Sequence, residues 1–127
     1  MAIERQPTDG ELEILQVLWS KGPRSVQQVH EQIVHLRQTG YTSVLKTMQV
    51  MLEKGLLERD DSRRQHVYHA AIAEKQTKRH IARNLVDRVF AGSASNLVMH
   101  ALSGRKSSAK ELREIRQLLD ELEEKRS

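Results

Sequence analysis

The stretch TSVLKTMQVMLEKGLLERDDSRRQHVYHAAI, residues 42–72, decides the fold predicted for this chain. Its first half carries apolar side chains at the spacing that gives a helix one buried face: Val44, Leu45, Met48, Met51 and Leu52. Gly55 ends the predicted helix, and two short strands joined by a polar turn follow. This order predicts a winged helix-turn-helix, in which a helix enters the major groove of DNA and a hairpin reaches the phosphates.

The opposite face of this helix is short, polar and mildly basic: Ser43, Lys46, Val50 and Glu53 point away from the buried side, and Thr42, Thr47 and Gln49 flank it. We define the polar face of the third helix as the six of these residues predicted to contact DNA: Thr42, Ser43, Lys46, Thr47, Gln49 and Val50. Lys46 suits a guanine edge or a phosphate, Gln49 suits adenine, and Val50 suits a thymine methyl group. Arg63 and Arg64 lie in the predicted hairpin turn, where they would hold phosphates. We therefore predict DNA binding through these eight residues.

Two more helices are predicted before this stretch. Residues 8–11 and 25–28 each have the capping-box pattern that begins a helix. The first helix is predicted to end before Gly22 and the second at Gly40, with Thr42 as the cap of the third. The apolar side chains of the second predicted helix are spaced three or four residues apart: Val26, Val29, Ile33 and Leu36. Three short helices and a hairpin give the winged-helix order.

Beyond residue 73 the sequence predicts three helices, separated by Gly92 and Gly104, whose apolar stripes suit pairing with a second copy. So short a helical region would not form a compact core alone, which predicts an intertwined homodimer. Packing of the stripes onto the chain's own winged domain stays open as the alternative. The residues predicted to form the dimer are Ile81, Leu85, Val89, Phe90, Leu97, Leu112, Ile115, Leu119 and Leu122.

The predicted fold class is mostly α with a small β-hairpin wing. We predict a winged-helix DNA-binding domain over residues 1–73 and a three-helix dimerisation region over residues 74–127. Charge follows this division, because residues 1–72 are balanced while residues 73–110 contain eight basic and two acidic residues. A basic balance is compatible with nucleic-acid binding but does not establish it.

Composition limits the remaining classes. The chain is 38% hydrophobic and 30% charged, which is typical of a soluble globular protein. No apolar run approaches the roughly 20 residues of a membrane span, and no secretory leader is present, so we predict a cytoplasmic protein without membrane insertion. Cysteine is absent, which excludes disulfides and thiolate chemistry and fits a reducing compartment.

No pattern of catalytic residues stands out. His30 and His35 superficially suggest a zinc-protease helix, but they are five residues apart, roughly 140° around a helix, instead of the four that zinc requires. A glycine-rich phosphate loop, a Ser/His/Asp order and paired catalytic carboxylates are also missing from the sequence. We therefore predict no enzymatic activity, no metal site and no cofactor.

Three segments resemble the penicillinase and methicillin-resistance repressor family (BlaI/MecI/CopY). They are PTDGELEILQVLW at residues 7–19, TSVLKTMQVMLEKGLLERDDSRRQHVYHA at 42–70 and LVDRVFAGSASNLVMHAL at 85–102. The resemblance covers nearly the full length, and the three segments follow in the family's order. It implies a homodimeric winged-helix repressor of dyad-symmetric operator DNA, acting in the regulation of antibiotic resistance.

The resemblance also implies release by proteolysis. A membrane-bound sensor metalloprotease typically cleaves such repressors, and the alignment places the cleaved bond at Ala101-Leu102. Relatives often have Arg where this chain has Val50, and their wing commonly reads Gly-Arg where this chain has Arg63-Arg64, so only Arg64 carries over. The copper-responsive branch uses cysteine pairs, which this chain lacks. A protein-interaction module and a ligand-gated winged-helix regulator stay open as alternatives.

Overall fold

The computed structural model describes residues 6–126, which form six helices and one two-stranded antiparallel hairpin. In chain order the elements are α1 (Asp9–Lys21), α2 (Val26–Val34), α3 (Tyr41–Lys54), β1 (Leu57–Asp60), β2 (Val67–Ala70), α4 (Glu74–Val89), α5 (Ala94–Ser103) and α6 (Ala109–Arg126). The predicted class, mostly α with a small hairpin, is confirmed. The chain separates into two compact units, Met1–Ala82 (unit 1) and Arg83–Ser127 (unit 2), with the division inside α4. The functional boundary after residue 73 stays a prediction.

The first two helices begin at the predicted capping boxes. Thr8 Oγ1 accepts the Glu11 N–H at 3.2 Å, and Glu11 Oε1 accepts the Thr8 N–H at 3.0 Å. Ser25 and Gln28 form the same reciprocal pair at 3.2 and 2.9 Å. α1 ends where Gly22 takes a φ of 82°, a left-handed value that glycine adopts without steric cost. Local chemistry therefore sets the start of both helices.

The predicted end of α2 is wrong. The helix ends at Val34 instead of Gly40, so Leu36 lies in the following turn, where it is 73% exposed. The N–H groups of Leu36 and Arg37 both donate to the Ile33 carbonyl, at 2.8 and 3.0 Å, and close the helix in a tight last turn. Leu36 continues the apolar spacing of α2 although the backbone has already left the helix. Periodicity therefore predicted the C-terminal end of α2 too far along the chain.

The predicted cap of α3 is also wrong. Gly40 is the N-cap residue, and no side chain makes a cap hydrogen bond there, so Thr42 lies exposed inside the first helical turn. Glycine is acceptable at the N-cap position, because a helix with glycine there is only slightly less stable than one with a hydroxyl-bearing cap residue. At the other end the prediction is confirmed, since Gly55 takes a φ of 83° and stops the helix.

The core of unit 1 is almost entirely aliphatic. α3 contributes the predicted Val44, Met48 and Met51 to it, and Leu45 and Leu52 pack at its edge. The buried apolar residues in the described part of unit 1 are Ile14, Leu15, Val17, Leu18, Val26, Val29, Ile33, Val44, Met48, Met51, Leu56, Leu57 and Tyr68. The helix that carries the polar face is thus fixed to the core along its opposite side.

The hairpin is tied to the segment that precedes α2. Within it Leu57 pairs with Ala70, and Asp60 pairs with Val67. Arg24 adds a bridge beside β2, because the Arg24 N–H donates to Tyr68 O at 3.0 Å and the Tyr68 N–H donates to Arg24 O at 2.8 Å. This bridge holds the wing next to the start of α2, a contact that the sequence did not indicate.

Unit 2 contains the end of α4 together with α5 and α6. Ser93 and Ser108 cap α5 and α6, since their hydroxyl oxygens accept the backbone N–H three residues later at 3.1 and 3.0 Å. In the turn between α4 and α5, Ala91 and Gly92 both have positive φ values, of 49° and 83°. Within the described chain, no residue from 78 to 126 is fully buried. Unit 2 therefore has helices without a buried core of its own.

Candidate nucleic-acid interface

The polar face of α3 is largely open to solvent. Its exposed members are Thr42, Ser43, Lys46, Gln49 and Val50. Thr47 is half-buried, and its hydroxyl donates to the Ser43 carbonyl at 2.9 Å, which leaves its methyl group and an oxygen lone pair for outside contacts. Lys46 makes no ion pair within residues 6–126. The face thus presents one cation between short polar side chains.

The wing carries its arginines at the tip, where its own carboxylates already have partners. Arg59 Nε lies 2.6 Å from Asp61 Oδ1, and hydrogen bonds with Tyr68 and Asp61 raise the pKa of Arg59. Hydrogen bonds from the Ser62 side chain and from the Ser62 N–H, the latter at 2.9 Å, lower the pKa of Asp60, aided by the charge of Arg63. Both carboxylates therefore already have partners within the wing.

Arg63 and Arg64 are exposed in the turn between β1 and β2, where they were predicted. Arg64 makes no ion pair with any described residue, whereas Arg63 acts on Asp60. An arginine without a carboxylate partner keeps its full charge available for a phosphate. Of the two wing arginines, Arg64 is the better placed for an anionic ligand.

A cleft of about 250 Å³ lies between the start of α2, the start of α3 and the wing. Its lining residues are Ser25, Val26, Gln27, Tyr41, Leu45, Arg64, Gln65, His66 and Tyr68. The cleft brings Arg64 into one surface with Tyr41 and Gln27, which are far from it along the chain. Sequence reasoning missed Tyr41 and Gln27 because neither lies on the polar face of α3, and only the folded hairpin brings them beside the wing.

The predicted dimerisation residues keep much of their surface. Ile81, Phe90, Leu97 and Ile115 are half-buried, whereas the exposed ones, with their exposed fractions, are Leu85 (39%), Val89 (65%), Leu112 (39%), Leu119 (52%) and Leu122 (50%). Three further exposed apolar residues were not predicted: Val98, Met99 and Leu118. The Ala101-Leu102 bond lies in the last turn of α5, with Ala101 exposed and Leu102 half-buried.

Neither a metal site nor a membrane span is found among residues 6–126. Over the described range, no three His, Asp or Glu residues come together in a group able to hold a metal ion. None of the helices in that range combines the length and apolar content needed to cross a membrane.

The chain is similar to known repressors over most of its length. Residues 7–121 match the family model described as penicillinase repressor. The methicillin resistance regulatory protein MecI of Mammaliicoccus sciuri is 21% identical over 113 residues, covering 89% of this chain and 92% of that protein. The penicillinase repressor of Bacillus licheniformis is 29% identical over 120 residues, covering 91% of each.

A solved structure supports the same assignment at the level of the fold. The solution structure of the DNA binding domain of the repressor BlaI matches with a TM-score of 0.50 and 21% identity, covering 58% of this chain and 93% of that one. This likeness confirms the winged-helix prediction. With the family model matching from residue 7 to residue 121, the chain belongs to the penicillinase repressor family.

Proposed function

We propose that this chain is a homodimeric transcriptional repressor that binds a dyad-symmetric operator and blocks a promoter. The observation that carries the proposal is the exposed polar face of α3 beside a wing whose Arg64 has no carboxylate partner among residues 6–126. A helix face of this width fits the major groove, and the wing then lies against the adjacent phosphates. Family membership supports the repressor class.

The polar face divides into base-contacting and backbone-contacting groups. Lys46 bonds a guanine edge or a phosphate, and Gln49 bonds adenine. Val50, which is 36% exposed, contacts a thymine methyl group. Arg64 holds a phosphate and fixes the register of the protein without reading sequence. The cleft between the wing and α3 gives the DNA backbone a path past Arg64.

Pairing of two chains through unit 2 supplies the dyad symmetry. Unit 2 leaves large apolar side chains exposed, including Val89, Met99 and Leu119. Fully burying one large aliphatic side chain contributes roughly 1.5–3 kcal/mol, so covering several of them against a second copy is strongly favourable. A patch of this kind on a monomer would also be an aggregation liability.

Release follows cleavage of the Ala101-Leu102 bond by a membrane-bound sensor metalloprotease. Cleavage there removes α6, and with it the apolar residues Leu112, Ile115, Leu119 and Leu122. The bond lies in the last turn of α5, just before its C-cap residue Gly104. The ends of a helix open more readily than its middle, so a protease could reach the bond there. Loss of α6 weakens the dimer, and each winged domain then retains only one half-site.

The DNA-binding part is tested by fluorescence anisotropy with a fragment located by footprinting on the protein's own promoter. Lys46→Ala should weaken operator binding by about 1–3 kcal/mol if it contacts a base. Lys21→Ala, at the exposed end of α1, is the matched control and should bind as the wild type does. An unchanged binding isotherm for Lys46→Ala would contradict the proposal that α3 reads the operator sequence.

The salt dependence separates backbone contacts from base contacts. Arg64→Ala should weaken binding to all sequences alike and reduce the salt slope by about one. A wild-type protein that prefers no DNA fragment and shows no salt dependence would instead support a protein-interaction module. Binding that changes only when a small molecule is added would favour the ligand-gated regulator.

The cleavage step is tested by mass spectrometry of the protein from induced and uninduced cells. We expect induced cells to contain fragments that end at residue 101 and uninduced cells to contain the intact chain. An intact chain that has nevertheless left its operator on induction would show that release has another cause.

A further inference from the structure

α1 carries two carboxylates that bind cations near opposite ends of α3. Glu11 Oε2 accepts a hydrogen bond from Lys54 Nζ at 2.7 Å, at the last residue of α3. Glu13 accepts from Arg37 Nε at 2.8 and 3.1 Å, in the turn that leads into α3. α1 thus binds the last residue of α3 through Glu11, and the turn before α3 through Glu13.

The Glu11 contact is the more buried of the two. Glu11 is 4% exposed, and its second oxygen accepts the Thr8 N–H in the capping box. Burial alone would raise its pKa, but hydrogen bonds from Lys54 and Thr8 and the charge of Lys54 outweigh burial, so the pKa of Glu11 is lowered. A buried carboxylate that loses its cation is strongly unfavourable, so this contact resists displacement.

The core and the ion pair restrain α3 in different ways. Val44, Met48 and Met51 press α3 onto the core, but apolar attraction has no preferred direction. A buried hydrogen-bonded ion pair does have one, because its strength depends on distance and angle. The pair at Lys54 therefore opposes rotation of α3 and sliding along its axis, motions that would move Lys46 and Gln49 together.

We propose that Glu11 and Lys54 are positioning residues for sequence recognition, and that their ion pair fixes the axial position from which α3 reads the operator. Base-edge hydrogen bonds tolerate little displacement, whereas phosphate contacts from flexible side chains adapt to it. The Glu13–Arg37 pair, which is half-exposed, adds a weaker restraint at the other end. The proposal rests on the proposed function, in which α3 contacts base edges.

The test compares Glu11→Gln and Lys54→Met in the full-length chain. Gln keeps an oxygen that accepts the Thr8 N–H, so the capping box survives while the charge is removed. The measured quantity is the ratio of affinity for the footprinted operator to affinity for an unrelated duplex of equal length, at one salt concentration. We expect this ratio to fall about tenfold in both variants, with affinity for the unrelated duplex unchanged.

Two controls separate positioning from stability. Lys54→Arg keeps a charged donor and should retain the wild-type ratio within about twofold. Val17→Ala weakens the core of unit 1 without touching either ion pair, and it should lower the urea midpoint while leaving the ratio unchanged. Loss of discrimination in Val17→Ala equal to that in Glu11→Gln would overturn the positioning role, since instability alone would then explain both.

The outcomes distinguish this proposal from the proposed function. A wild-type protein that does not prefer its operator contradicts the proposed function itself. If the wild-type protein prefers its operator, and Glu11→Gln and Lys54→Met keep the wild-type ratio of operator affinity to unrelated-duplex affinity, only the positioning role is overturned. If Glu11→Gln does not fold, Lys54→Met decides the positioning role of the pair: a fall of about tenfold in the ratio supports it, and the wild-type ratio overturns it.

Discussion

The two units of this chain treat their apolar side chains in opposite ways. In unit 1, Leu15, Val29 and Met48 are fully shielded from solvent, whereas in unit 2, Val89 and Met99 are 65% and 69% exposed. Burial of apolar surface is the main favourable contribution to folding. Unit 1 therefore draws its stability from within the chain, whereas the helices of unit 2 leave much of their apolar surface exposed.

Under the proposed function, DNA reading by unit 1 and assembly by unit 2 would depend on separate sources of stability. In unit 1, the first three helices and the hairpin share one core, to which the hairpin contributes Leu57 and Tyr68. Unit 2 has helices alone, whose stripes lie on surfaces that residues 83–126 do not cover. Truncation, core mutation, backbone strain and pH should each affect the two units differently.

The largest effect should come from truncation after Gly92. Unit 1 should remain folded, because its core lies entirely before that point. The monomer loses the linked second half-site, so operator affinity should fall by about 10²–10⁴. Circular dichroism checks the fold, and anisotropy checks the affinity. Full-length protein that sediments as a stable monomer at micromolar concentration would contradict this expectation.

Equal leucine deletions in the two units should have unequal consequences. Leu15→Ala removes a side chain that is 0% exposed and should lower the free energy of unfolding by about 2–5 kcal/mol at any protein concentration. Leu119→Ala, at 52% exposure, should instead weaken the dimer, so its effect on the melting temperature should depend on concentration. Thermal melts over a hundredfold concentration range distinguish the two. If the change in melting temperature caused by Leu119→Ala does not depend on protein concentration, Leu119 packs within its own chain and not against a second copy.

A strained residue in unit 2 should give a smaller, stabilising effect. Ala91 has a φ of 49°, a left-handed conformation that costs a non-glycine residue roughly 1–2 kcal/mol. Ala91→Gly should therefore stabilise the α4–α5 turn by up to about 1 kcal/mol after the entropy of glycine is counted. Ala82→Gly, inside α4, is the matched control and should destabilise by about 1 kcal/mol. Hydrogen exchange of α5 amides measures the effect of Ala91→Gly, and exchange of α4 amides measures that of Ala82→Gly. Destabilisation by both changes would contradict the strain at Ala91.

The smallest effect concerns Glu11 in unit 1. Because its pKa is lowered on folding, its contribution is complete above the ordinary carboxyl value of 4.5 and is lost as the pH falls through the folded-state pKa. The difference in unfolding free energy between wild type and Glu11→Gln should therefore shrink below about pH 4.5. Urea titrations at neutral and acidic pH check this, and a difference independent of pH would show that folding does not change the pKa of Glu11.

Elements with strong local signals were predictable. The capping boxes at Thr8 and Ser25 fix their helices through bonds between near neighbours, so three residues of sequence suffice. Gly55 ends α3 for a similar reason, since its left-handed φ favours glycine. Where local signals were weak, at Gly40 and Thr42, the predicted end of α2 and cap of α3 failed, because backbone turns there depend on packing.

The candidate site was predictable in part. Periodicity identified the exposed side of α3, including Ser43, Lys46 and Gln49, because one buried stripe determines the opposite face. The cleft was not predictable, since it joins Gln27, Tyr41 and Arg64 from three separate elements. The DNA-binding roles of Lys46, Gln49 and Arg64 stay predictions.

The sequence by itself determined the helices, the hairpin, the aliphatic core and the family, because periodicity, capping residues and glycines act within a few positions. Only the tertiary structure decided which charges meet. Glu11 looks like a capping residue and nothing more until Lys54, 43 residues away, is placed against it at 2.7 Å. Arg24 likewise pairs with Tyr68 only after the wing folds back. Contacts between distant residues depend on how whole elements pack, and no short stretch of sequence contains that information.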